Sequence, residues 1–177
     1  MIEGIRCANI ALKVRKIGKW ENVNTKDLFK KKKIIIFSLL GALTLVCSER
    51  QLHSFEKIYE ELCRLGIDEI YCVSVNDGFV MNAWADQEKL KKIKVLPDGN
   101  RDFTRSMGML ICKNYVGFGM RSWRYCLIIN DGIVEKWWQE VGINNAGNDP
   151  DPYAETTPEN CIKYLKGLVS NIVRKSA

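Results

Sequence analysis

The stretch from residue 34 to 66 constrains this chain most. It opens with an uncharged run, IIIFSLLGALTLVC, and then changes character to SERQLHSFEKIYEELCRLG. A charge-free apolar run of this kind suits a strand covered on both faces. The segment after it sets Leu52, Phe55, Ile58, Tyr59, Leu62 and Leu65 at helical spacing, which predicts a helix with one buried stripe, stopped at Gly66. Cys47 falls at the junction, where strand gives way to helix. The unpaired N–H groups and partial positive charge of a helix start favour a thiolate, the reactive form of cysteine. Thr44, three residues earlier, is placed to hold a hydroxyl against the sulfur or a substrate, and Gly41 and Ala42 keep the backbone before it slim. The plainer reading is that Cys47 is a small buried residue in a strand–helix turn.

Seven cysteines stand at 7, 47, 63, 72, 112, 126 and 161, an odd number without a C-x-x-C pair, and His53 is the single histidine. That pattern argues against a disulfide framework and against a zinc site, and it fits a reducing compartment such as the cytoplasm. An organelle matrix would fit equally had an import segment been removed. No apolar run reaches membrane-spanning length, and the N-terminus MIEGIRCANIALKVRK lacks the apolar block of a secretory signal. Residues 1–50 hold eleven Lys or Arg against four Asp or Glu, more than the whole net charge of +6. The run Lys30–Lys33 lacks the aromatic or glycine interleaving of a nucleic-acid surface and reads as a solvated loop before a buried strand.

The 177 residues read as a single domain, 1–177, without internal repeats. Residues 10–14 alternate as an edge strand, and Thr25 is expected to cap a short helix, TKDLF. Residues 68–75 form a second apolar strand. Asn76 and Asp77 follow it as caps for a helix running to about Leu90. A short strand at 93–96 ends in the turn Pro97-Asp98-Gly99-Asn100, and a short helix over 102–107 stops at Gly108. RYCLII and IVEKWW flank Asn130-Asp131-Gly132, a strong hairpin signal. A long loop over 142–153 precedes a closing helix opened by Thr157-Pro158-Glu159, with Cys161, Ile162, Leu165, Leu168, Val169, Ile172 and Val173 on its apolar stripe. The fold class is α/β: a central mixed sheet flanked by helices, with a C-terminal helix. A strand–turn–helix with a cysteine at the helix start is the thioredoxin-like arrangement, and without C-x-x-C it points to a one-cysteine nucleophile.

At this point the residues resemble a family. VNTKDLFKKKKIIIFSLLGALTLVC is similar to the active-site entry of peroxiredoxins of the peroxiredoxin-5-like branch, and the likeness continues through YCVSVNDGFVMNAW, LPDGNRDFTRSMGM and GFGMRSWRYCLIINDGIV. The resemblance implies a thioredoxin-like fold and reduction of hydrogen peroxide or organic hydroperoxides, with no cofactor or metal. In the family signature P-x-x-x-T-x-x-C the cysteine becomes a sulfenic acid, the threonine contacts the peroxide, and a late arginine holds the thiolate and the oxygens. Cys47, Thr44 and Arg124 match those positions. The same resemblance places Gly41, Ala42, Val46 and Arg121 along the substrate approach.

Two family prolines are replaced, by Leu40 and Leu45. Since they stiffen the loop, two functions stand open: a thiol peroxidase, or an impaired peroxiredoxin-like redox sensor or interaction protein. The loop 141–157 holds no resolving cysteine, and Cys63, Cys72, Cys126 and Cys161 read as structural. The mechanism expected is therefore one-cysteine, with glutathione, glutaredoxin or thioredoxin as the external thiol reductant. Trp84, Trp123, Trp137 and Trp138 read as core and dimer contacts, and the resemblance implies a homodimer, with neither nucleic acid nor membrane as partner.

Overall fold

A computed structural model of the protein describes residues 2–145 and 151–175, with the backbone alone for 171–175. The side chains of Ile172 and Val173, and part of the loop expected over 142–153, lie outside the described residues. The uncharged run builds the central strand β3 (Lys33–Ser38), in which Ile34, Ile35, Ile36 and Phe37 are all fully buried. It pairs in parallel with β4 (Glu69–Ser74), which pairs in parallel with β5 (Lys94–Pro97). On its other edge β3 runs antiparallel to β8 (Tyr125–Asn130), followed by β9 (Ile133–Gln139). The five-strand order is β5-β4-β3-β8-β9. The last two strands form the expected hairpin, and its tip residues Asp131 and Gly132 both take positive φ, as a tight Asp-Gly turn requires.

The strand ends at Ser38, well short of Cys47. Helical backbone starts at Leu45, and its turn Cys47–Leu52 is a π-helix, wider than the α-helix expected. The helices α2 (His53–Lys57) and α3 (Tyr59–Arg64) continue it, separated at Ile58, and Gly66 follows at φ +93°. Phe55 stacks on Phe37 at 4.3 Å, laying this layer on one face of the sheet. The closing helix α6 (Pro158–Lys175) covers the same face through Cys161, which touches Cys126. Cys161 and Leu165 are buried as expected, but Val169 is half exposed and so leaves the stripe. Helix α4 (Gly78–Gln87) is capped by Asp77, whose Oδ1 accepts from Phe79 N and Val80 N, and it ends before Leu90. It joins the α2 layer through Trp84 Nε1, which donates to Ser48 Oγ at 2.9 Å.

Four details differ from the sequence reading. Residues 10–14 do not edge the main sheet. They belong to β1 (Ala11–Lys16), which forms its own hairpin with β2 (Lys19–Asn24). Thr25 does not cap α1 (Thr25–Phe29): its hydroxyl donates to Ala8 O and accepts from Ile10 N, pinning the N-terminal segment instead. Asp98 exceeds a turn residue. Its buried carboxylate accepts from Phe103 N and Thr104 N and so caps α5 (Asp102–Ser106). A further small hairpin, β6 (Leu110–Cys112) with β7 (Met120–Ser122), stands where no strand was expected.

Candidate active site

The loop between β3 and the π-turn is held from β4. Asn76 Oδ1 accepts from Ala42 N at 3.0 Å and from Ser74 Oγ at 2.7 Å, so Asn76 fixes the loop rather than capping α4. Leu43 takes a positive φ of 67°, an unusual conformation for a side chain of its size. Thr44 O accepts from Ser48 N, which starts the helix, and Thr44 Oγ1 donates to Gly41 O at 2.9 Å. A Cβ added to Gly41 would meet its neighbours no closer than 3.6 Å, so space alone does not demand glycine there.

Cys47 is fully buried behind this loop. Arg124, at the start of β8 and also buried, turns both of its terminal nitrogens toward Cys47 Sγ, each at 3.6 Å. The guanidinium is held from two further sides. Nη1 donates to Gln51 Oε1, and Nη2 donates to Asp151 Oδ1 at 2.5 Å. Gln51 is placed by the helix that carries Cys47, one turn on. Asp151 comes from the strap that leads into α6, and Tyr153 beside it lies 5.6 Å from the guanidinium. Burial works against the Arg124 cation, but the charges of the Cys47 sulfur and Asp151 outweigh it, and its pKa rises above the ordinary arginine value.

The strap is fastened by a carboxylate. Glu140, fully buried at the end of the β8–β9 hairpin, accepts from the backbone N–H groups of Ala154, Glu155 and Thr156 and from Thr156 Oγ1. Burial raises the Glu140 carboxyl, the four donors more than reverse this, and the net pKa is below the usual carboxylate value. Glu140 N also donates to Arg124 O, so one residue ties the strap to the strand that carries the arginine.

A cleft of about 590 Å³ opens beside the loop that leads into Cys47, with neither Cys47 nor Arg124 in its lining. Gly41, Ala42, Thr44 and Val46 line one wall, and Lys113, Phe118 and Arg121 the other. Asp151 belongs both to this lining and to the Arg124 pair. Five of the seven residues expected from the sequence, Thr44, Gly41, Ala42, Val46 and Arg121, line the cleft, and the buried Cys47–Arg124 pair is joined to it through Asp151. Arg121 donates through Nη1 to Val75 O at 2.7 Å. Burial lowers its pKa somewhat. Three buried donors, Arg124 Nε, Gln51 Nε2 and Arg121 Nε, have no acceptor among the described residues and suit a guest that brings oxygen lone pairs. The sequence reading missed Gln51, Asp151, Tyr153 and Glu140. Gln51 was legible in principle, since four residues past Cys47 lies on the same helix face.

Among the other thiols, burial pushes Cys7 up to about 11 and Cys63 above its ordinary value. It pushes Cys72 and Cys126 well above the ordinary thiol value. A guanidinium fork beside a sulfur can neutralise charge on an oxygen bound there.

Comparison with known proteins agrees with this geometry. The Redoxin family profile matches residues 14–155. A peroxiredoxin of Rhizobium etli is 51% identical over 148 residues, covering 84% of this chain and 82% of that protein. The hybrid peroxiredoxin of Haemophilus influenzae is 41% identical over 165 residues, 93% of this chain and 66% of that protein. Among solved structures, the Plasmodium falciparum antioxidant protein, a 1-Cys peroxiredoxin, superposes with a TM-score of 0.89 at 34% identity, covering 94% of this chain and 99% of that one. Reduced Prx3 of Vibrio vulnificus in complex with hydrogen peroxide superposes at 0.83 with 29% identity, covering 93% and 99%. The chain belongs to the peroxiredoxins of the thioredoxin-like superfamily, and it is a thiol-dependent peroxidase.

Proposed function

We propose that Cys47 is the peroxidatic nucleophile of a one-cysteine peroxiredoxin of the peroxiredoxin-5-like branch, acting on hydrogen peroxide and small organic hydroperoxides. The observation that carries this reading is the Arg124 fork, both nitrogens 3.6 Å from the sulfur. The thiolate attacks the near peroxide oxygen, the O–O bond breaks, and the sulfur becomes a sulfenic acid while the leaving oxygen takes a proton as water or alcohol. Arg124 stabilises the sulfur anion and then the charge growing on the leaving oxygen. The Thr44 hydroxyl has its proton engaged by Gly41 O and so accepts from the hydroperoxide O–H. Arg121 stands on the far wall of the cleft as a second cation. Burial of Cys47 favours small substrates that enter past Gly41, Ala42 and Val46. The hydrogen peroxide complex named for the Vibrio vulnificus relative supports the substrate class.

An external thiol, glutathione with or without glutaredoxin, or thioredoxin, then reduces the sulfenic acid. Cys161, the nearest cysteine to the strap in sequence, has its sulfur against Cys126 rather than Cys47, which supports the one-cysteine reading. The 1-Cys relative from Plasmodium falciparum agrees. Burial, and after it the neighbouring Cys47, pushes the Cys72 thiol up, so Cys72 is the cysteine to check for a link to Cys47. We read residues 1–177 as one domain, since a single cluster of buried side chains joins every strand of the main sheet. We read the active form as a homodimer in a reducing compartment, the cytoplasm. The exposed apolar rim beside the cleft, Leu43, Leu45, Tyr115 and Phe118, supports the dimer.

The test is the intact mass of reduced protein after one equivalent of hydrogen peroxide, quenched over milliseconds to seconds, beside Cys47→Ser. The expected result is rapid gain of one oxygen, absent in the variant. Oxidation no faster than a free thiol would hand the chain to the sensor reading, and a Cys47–Cys72 disulfide in the mapped product would replace the one-cysteine mechanism.

A further inference from the structure

A second pair of thiols lies outside the site. Cys126, in β8, and Cys161, in the first turn of α6, are both fully buried, and their sulfurs stand 3.6 Å apart. Two free thiols held in mutual contact need to close only from 3.6 Å to the disulfide length of about 2.05 Å. The pair also sits where a bond would matter. Cys126 is two residues past Arg124, and Cys161 follows the strap that brings Asp151 and Tyr153 to that arginine. Glu140 already clamps the strap to the end of the hairpin.

We propose that Cys126 and Cys161 are a built-in dithiol that closes to a disulfide under sustained peroxide, bolting α6 and the strap onto β8. The oxidant is the hydroperoxide that the enzyme already meets. One sulfur attacks the O–O bond and becomes a sulfenic acid, releasing water or alcohol. The other then attacks that sulfenic sulfur and expels water. Two thiols lose two electrons and two protons, and the hydroperoxide is reduced by the same two electrons. Complete burial makes the first step slow, since burial holds the Cys126 thiol protonated. The bond therefore forms on the timescale of prolonged exposure rather than of turnover. It closes a loop of thirty-odd residues and raises the melting temperature by roughly 5–10 °C.

The experiment uses Cys47→Ser, in which the peroxidatic sulfur is silent. The folded protein is held in excess hydrogen peroxide for hours, then mapped by mass spectrometry and melted with and without dithiothreitol. The expected result is loss of two hydrogens, a peptide linking Cys126 to Cys161, and a higher melting temperature that dithiothreitol reverses. Cys161→Ala in the same background removes the link, and so does Cys126→Ala. Oxygen addition at these sulfurs without a link, a link to other cysteines in its place, or both thiols still free once the partly exposed Cys7, Cys63 and Cys112 are oxidised would each overturn the proposal. Because the link is read on a chain that keeps both cysteines, misfolding of the alanine variants does not blunt the test.

Discussion

At the scale of single residues the site depends on how one arginine is held. Its fork reaches the sulfur only because Gln51 and Asp151 grip it from the helix and from the strap. Arg124→Lys keeps a positive charge but has one nitrogen where two are needed, so kcat/KM for hydrogen peroxide should fall on the order of 10²-fold in stopped-flow measurements. Asp151→Asn retains an acceptor for Nη2 and should cost less than about tenfold, a difference of roughly 1.4 kcal/mol in barrier. Glu140→Gln replaces the charged acceptor of four donors with a neutral amide whose NH2 faces the Ala154 and Glu155 N–H groups, and should lower stability by about 1–3 kcal/mol, read as a shift of the urea midpoint. Thr44, Cys47 and Arg124 were picked out from recognisable local contexts, and the fold sets Arg124 against Cys47. It did not carry Asp151 or Glu140, whose roles come from a strap returning across the sheet and not from any local pattern.

At the scale of elements the notable departure is the turn Cys47–Leu52. A π-turn spaces its backbone bonds more widely than an α-helix, and such turns gather at functional positions. Here Cys47, Gln51 and Leu52 all turn inward. No apolar spacing distinguishes that turn from an ordinary helix, which is why the periodicity of residues 52–65 locates the helix but not its winding. The β1–β2 hairpin escaped for a different reason: β2 has no fully buried residue and hence no alternation to read. The central strand, the Asp-Gly hairpin and α6 were legible because their burial follows their pattern. Leu45 begins the helical backbone and is 73% exposed, a position where proline suits the first turn. Leu45→Pro should leave stability within about 0.5 kcal/mol of the parent by denaturant melt. If the peroxide rate then rises, the stiffness of this loop limits the natural enzyme.

For the molecule as a whole, part of the acid stability follows from two carboxylates held below their usual range, Glu69 and Glu140. Burial raises Glu69, but hydrogen bonds from Lys94, Tyr71 and Lys32 overcome it and hold the carboxyl at about 2. A depressed carboxylate contributes stability that is complete above its unfolded value near 4.5 and is lost as pH falls toward 2. Glu140 acts with the same sign. Thermal melts should therefore be flat from neutrality to about pH 5 and drop below it, and Glu69→Gln should flatten that drop. The exposed rim of Leu43, Leu45 and Tyr115 makes a second global prediction: if the proposed homodimer forms through it, Tyr115→Glu should shift sedimentation toward monomer. The distance along the chain between the two halves of the site has its own consequence. Arg124 lies 77 residues beyond Cys47, and Asp151 a further 27. On a ribosome adding roughly 5–20 residues per second, the cysteine emerges several seconds before the arginine that faces it in the folded chain. The proposed catalytic pair therefore cannot assemble on the nascent chain until β8 has joined the sheet.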